Sequence, residues 1–169
     1  MHFYRISKYN PKNRNINGNY KPVDWTSFSD IGKIFLEKKL TFQEYKRVED
    51  LYIEFILLAM METNTVYLEV NDLEKYGSKS DILNLSSKSR ILYEKLDNNL
   101  LVDVDSIPIL LQLQLRDLIW IKLSSENLKI HFGYDYYMYI ISKEKISFAS
   151  EIAFKNTFYI EEGVKSPYE

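Results

Sequence analysis

The chain has 169 residues, a formal net charge of −2, 46% hydrophobic and 27% charged residues, and no cysteine. That length accommodates one domain with a substantial core, and the composition is that of an ordinary globular protein. The absence of cysteine excludes disulfides, thiolate nucleophiles and cysteine-ligated zinc.

Met1 to Lys8 lacks the apolar run of a signal peptide, and the most apolar stretch, Phe55 to Met61, is too short to span a bilayer. A cytoplasmic protein is therefore expected. Phe3 to Tyr9 alternates Tyr4 and Ile6 with Arg5 and Ser7 and predicts a first strand, which Asn10-Pro11 ends. Residues 10–24, rich in Asn, Lys, Gly and Pro, read as a long polar loop. Ser27 and Ser29 can each cap a short helix carrying Ile31, Ile34 and Phe35 on one face. Thr41-Phe42-Gln43-Glu44 has the form of a capping box, with Leu40 placed to staple onto Tyr45. Behind it Phe42, Tyr45, Val48, Tyr52, Phe55, Ile56 and Ala59 recur at helical spacing to about Met61.

Val66 to Val70 predicts a short strand, and Asn71 to Glu74 a helical turn ending at Gly77. Asp81 to Leu85 is ambiguous, whereas Ser87 to Leu96 carries Ile91, Leu92 and Leu96 at helical offsets. Leu100 to Val104 predicts a strand, and Asp105-Ser106-Ile107-Pro108 a helix start. The alternation Leu111-Gln112-Leu113-Gln114-Leu115 fits continuation of that helix, with a strand as the alternative. Leu118 to Leu123 is the next strand, followed by a turn at Ser124 to Asn127.

In residues 128–141 every even position is apolar or aromatic, the period of a half-buried strand. Fourteen residues exceed the usual strand length, so a break is placed at Gly133-Tyr134-Asp135, with a bulge at Gly133 as the alternative. Strands 118–123, 128–132 and 136–141 then form a three-stranded meander. A helix over 148–155, a last strand from Phe158 to Glu161 and a tail complete the chain. The fold class expected is α+β: a mainly antiparallel sheet whose C-terminal meander packs against one long amphipathic helix (about 41–61) and shorter helices. A single domain over 1–169 is expected, with no repeat or linker. The odd face of 128–141 gathers Lys129, His131, Asp135, Tyr137 and Tyr139, a mixture of tyrosine and charge that suits partner binding. The competing reading is that a further helix covers it.

Chemistry is poorly represented. Only His2 and His131 exist, and the five glycines form no phosphate loop, nucleophile elbow or dinucleotide fingerprint. Asp103 and Asp105 could form a weak cation site, but a helix cap at Asp105 is the plainer reading. No catalytic residue, cofactor or metal is expected. Residues 1–50 hold ten basic and six acidic residues; 51–127 hold seven and twelve. The basic segment Arg5, Lys8, Lys12, Arg14 and Lys21, interleaved with Tyr9 and Tyr20, could touch phosphates, though a solvated loop is the plainer reading. Nucleic acid and membrane are not the expected partners. Oligomeric state is open, since an edge strand near 158–161 could pair with a second copy.

Two stretches carry a resemblance. Trp120-Ile121-Lys122-Leu123 with His131-Phe132-Gly133-Tyr134-Asp135-Tyr136-Tyr137-Met138-Tyr139-Ile140, and Arg5-Ile6-Ser7-Lys8-Tyr9-Asn10-Pro11 with Trp25-Thr26-Ser27-Phe28-Ser29-Asp30-Ile31-Gly32, together resemble a group of small, largely uncharacterised proteins of low-GC bacteria. In size and style the chain is also similar to the immunity proteins that accompany polymorphic or contact-dependent inhibition toxins. That resemblance implies a non-enzymatic cytosolic protein that binds and neutralises a cognate toxin domain, and it assigns no residue to binding. The alternatives are a nucleic-acid-binding or regulatory protein using the basic N-terminal segment, and an enzyme of unrecognised type.

Overall fold

The structure, a computed structural model, describes residues 1–17, 19–147 and 158–168. Among the described residues the strands run β1 (His2–Ser7), β2 (Ile34–Phe35), β3 (Lys38–Lys39), β4 (Tyr67–Lys75), β5 (Leu101–Asp103), β6 (Ile119–Ser124), β7 (Leu128–Phe132), β8 (Met138–Ser142) and β9 (Tyr159–Glu162). The helices among the described residues are α1 (Phe42–Glu62), α2 (Lys79–Leu83), α3 (Ser87–Lys95) and α4 (Ile107–Leu115). Seven strands make one antiparallel sheet in the order β5-β4-β6-β7-β8-β1-β9, and β2 and β3 form a separate hairpin. The expected α+β class, the C-terminal meander and the long helix are all present.

The even positions Leu128, Ile130, Phe132, Met138 and Ile140 point into the core, as do Ile121, Leu123, Leu68, Val70, Tyr4 and Ile6 from neighbouring strands. Phe55, Ile56, Leu110 and Leu111, from α1 and α4, close the same layer, each side chain worth about 1.5–3 kcal/mol on burial. The two helices are stapled by Glu49, fully buried, which accepts bidentate hydrogen bonds from Arg116 Nε (2.7 Å) and Nη2 (2.9 Å). Residues 111–115 are helical, and Pro108 sits in the first turn of α4.

Several local expectations give way to longer-range pairing. Residues 71–75 are strand rather than helical turn, because β4 continues along β6 across a register shift between Asn71 and Glu74. The shift is absorbed at Asp72, whose φ is 52°. Ser27 caps only a 3-10 turn (Phe28–Asp30), and Ile34 and Phe35 belong to the β2–β3 hairpin. Thr41 caps α1 through the Glu44 amide (3.1 Å), but the Glu44 carboxylate turns to Arg47 (2.8 Å) instead of closing the box. At the other helix end Thr65 N–H reaches Met60 O and Asn64 N–H reaches Met61 O, a Schellman stop with Asn64 at φ 51°. The start of α4 is also different: the Asp103 carboxylate, not Asp105, takes the Ser106 amide at 2.9 Å. The loop at 10–24 includes a 3-10 turn (Pro11–Asn13) and an Arg14–Tyr20 bridge. The expected helix over 148–155 lies outside the described residues.

Candidate partner-binding face

Lys129, His131 and Tyr139 do share the outer face of the sheet, with His131 opposite Tyr139 in the β7–β8 ladder. Of the three only Lys129 is open; His131 is 6% exposed and Tyr139 8%. The cover is the C-terminal tail rather than a helix. Ser166 Oγ lies 2.8 Å from His131 Nδ1, and Tyr168 meets Tyr139 edge-on with ring centres 6.1 Å apart. Gly133 lets this packing close, since a Cβ there would come within 3.2 Å of Tyr139 and 3.4 Å of Tyr168. The expected open tyrosine surface is thus shut at its centre, because the polar tail carries one aromatic residue and one hydroxyl that find partners across the sheet.

Tyr137 is half-buried and diverges from that patch, its ring 5.4 Å from Tyr9 and under the guanidiniums of Arg5 (5.6 Å) and Arg14 (5.9 Å). Both arginines grip Glu161 of β9: Arg5 at 2.8 and 2.9 Å, Arg14 at 2.6 and 2.8 Å. Burial alone would raise the Glu161 carboxyl, but these charged donors outweigh it and take it from 4.5 down to about 2. Lys8 is nearly buried, its Nζ 2.7 Å from Asp24 and 4.0 and 4.2 Å from the Trp25 and Tyr9 rings. Burial pushes that ammonium from 10.5 down to about 8, against the pull of Asp24. Arg5, Lys8 and Arg14 are therefore committed to internal acids, leaving Lys12 and Lys21 exposed in the basic segment.

The open part of the face lies beside these residues. Tyr134, 74% exposed, and Asp135, also exposed, form the tip of the β7–β8 connection. Two adjoining hollows of about 190 and 740 Å³ share Gln114, Asp117, Trp120 and Tyr134. The Trp120 ring lies 5.4 Å from Tyr134 and 6.1 Å from Tyr168. Asp72, Glu74 and Lys122 line the larger hollow, where Lys122 pairs with Asp72 at 2.8 Å and Tyr76 donates to Glu74. Asp117 comes from the stop of α4: Leu118 N–H bonds Leu113 O (3.0 Å) and Asp117 N–H bonds Gln114 O (3.2 Å), with Asp117 at φ 60°. Partial burial raises its carboxyl above 3.8, opposed by the Phe28 amide and aided by Asp30.

The backbone around the hollows is strained. Asp72, Asp117, Asp135 (φ 58°) and Tyr136 (φ 64°) all occupy left-handed conformations. Tyr136 is held there by a buried aromatic cage: Tyr52 Oη donates to its carbonyl, its own hydroxyl donates to Tyr45, and Tyr45 donates to Leu115 O. Trp25 packs edge-on against it at 5.0 Å. Asp135 and Tyr137 are the sequence-derived candidates nearest to this cleft, both lining its smaller hollow. Gln114, Asp117, Trp120 and Tyr134 carry no mark of their own in the sequence. Period two in β6 places Trp120 and Lys122 on the outer face, but nothing local brings α4's last turn beside them.

Among the described residues no group of three or more acidic or histidine side chains could hold a metal, and no helix is long and apolar enough to cross a membrane. Compared with known proteins, the chain matches no family model, no curated protein and no solved structure.

Proposed function

We propose that this is a non-enzymatic binding protein of the immunity type, which neutralises a cognate toxin domain by direct contact. The observation that carries the reading is the open cleft at Trp120 and Tyr134, aromatic in its walls, acidic at its rim and backed by a continuous sheet. Aromatic anchors surrounded by charge are what protein interfaces use for most of their binding energy, and rigid backing lowers the ordering cost. The acidic rim suits a basic partner surface, which it would steer and orient. The internal commitment of Arg5, Lys8 and Arg14 counts against the nucleic-acid alternative, because a phosphate would have to compete with Glu161 and Asp24. The test is calorimetry of the whole chain against the C-terminal domain of the protein encoded by the neighbouring gene. A one-to-one complex that weakens on Tyr134→Ala is expected, and no heat together with no co-elution would defeat the proposal.

A further inference from the structure

Within the cleft, Gln114 and Asp117 stand out by what they lack. Gln114 is 6% exposed, and its Oε1 accepts the Ile121 amide at 2.9 Å. Its Nε2 has no acceptor among the described residues, and the Gln114 side chain lines both hollows, so an unpartnered donor is available there. Asp117, three residues on, is exposed and has no basic partner among the described residues, its carboxylate meeting only the Phe28 amide. Asp135, across the smaller hollow, lacks a basic partner there too. The aromatic walls are Trp120 and Tyr134. At about 190 Å³ the smaller hollow has room for a single inserted side chain, and the adjoining hollow of about 740 Å³ has room for the segment that carries it.

We infer that this cleft is a subsite for an arginine side chain presented by a protein segment. The guanidinium would stack on the Trp120 and Tyr134 rings and donate to the Asp117 carboxylate, while the segment's main-chain carbonyl would take the Gln114 Nε2 hydrogen. Arginine is favoured over lysine because its planar fork both stacks on rings and addresses a carboxylate through two donors. The backbone supports the assignment. Asp117 occupies the left-handed position of a Schellman stop, where glycine is the favoured residue, so the carboxylate is kept at a conformational cost. This inference rests on the binding reading above and names the chemistry its partner would bring.

The test titrates Nα-acetyl-arginine N-methylamide into the full chain and follows the Trp120 indole N–H by NMR, with the buried Trp25 indole as internal reference. Saturable millimolar binding at Trp120 is expected, and the neutral citrulline amide should bind about tenfold more weakly, the loss of a charge-assisted hydrogen bond. Asp117→Asn, which tolerates the left-handed backbone, should weaken binding to a similar degree. Asp117→Gly should also weaken it, since it removes the carboxylate while keeping the left-handed turn. No saturable movement of Trp120, equal binding of the citrulline amide, or binding unchanged in Asp117→Asn overturns the subsite. A toxin complex indifferent to Asp117→Asn and Tyr134→Ala removes the subsite and leaves the immunity reading. Arginine-amide binding without any toxin complex does the reverse.

Discussion

Asp117 and Tyr136 are left-handed residues of opposite kinds. For Asp117 the native turn favours glycine, so Asp117→Gly relieves backbone strain worth about 0.5–1 kcal/mol, set against the loss of the carboxylate's bond with the Phe28 amide. A urea midpoint shifted upward at constant slope would show that the relief prevails; a downward shift would mean that the carboxylate stabilises the fold. Tyr136 is held by its cage, so removal costs packing and hydrogen bonds together. Tyr136→Phe loses one hydroxyl, whose partner Tyr45 still donates to Leu115, and should cost about 1 kcal/mol. Tyr136→Ala empties a site bounded by Trp25, Tyr45 and Tyr52 and should cost about 3–5 kcal/mol. Equal effects of the two substitutions, measured in the same denaturant series, would show that the hydroxyl rather than the ring holds the turn.

Between elements, the α1–α4 staple is the sharpest case of a buried charge. Glu49 has no exposed surface, and the Arg116 guanidinium is its bidentate partner, with Lys46 at 3.7 Å. Arg116→Met leaves the carboxylate buried with little compensation and should destabilise by about 3–5 kcal/mol, whereas Glu49→Met with Arg116→Met should be near neutral. A double-mutant cycle with no coupling between the two would refute the staple. Elements of this kind were legible where the signal was periodic: the Thr41 cap, the helix behind it and the meander from β6 to β8 follow from spacing alone. They were illegible where a distant partner decided. The 71–75 segment reads locally as a capped turn, yet the ladder with β6 draws it into strand and confines the irregularity to Asp72. The β2–β3 turn uses Leu36 and Glu37 at positive φ, without the Asn-Gly pair that would announce a hairpin. The candidate site suffers the same limit. Asp135 and Tyr137 belong to a strand pattern that the sequence displays, but Gln114 and Asp117 reach the cleft only because α4 stops beside Trp120. The burial of His131 and Tyr139 depends on a tail more than twenty residues downstream.

At the scale of the whole molecule, stability should follow pH in three stages, each with its own group. In the folded chain Glu161 stays ionised down to about 2, whereas the unfolded carboxylate protonates near 4.5. Its contribution is complete above 4.5 and is lost as pH falls toward 2; allowing for screening at a partly exposed group, about 1–2 kcal/mol is at stake. Lys8 works the other way. The folded ammonium gives up its proton near pH 8 and the unfolded one near 10.5, so the unfolded chain binds more protons between those values and stability rises with pH across that window. A displacement of this size corresponds to about 3 kcal/mol. Above pH 10 the trend reverses: burial keeps Tyr9, Tyr45, Tyr52 and Tyr136 protonated in the fold while unfolded tyrosines ionise, so the unfolded state gains. The expected profile therefore has an alkaline maximum between 8 and 10, well away from the isoelectric point near 5.8. Lys8→Met keeps the apolar stem between Trp25 and Tyr9, removes the buried charge and leaves Asp24, which is half-exposed, to water. It should abolish the rise between 8 and 10 while sparing the acid limb, and Glu161→Gln should flatten the acid limb while sparing the rise. Denaturant unfolding at several pH values separates the two, because each variant must erase one limb and keep the other; a variant that lowers the whole curve without changing its shape would show that its parent residue acts through packing rather than charge.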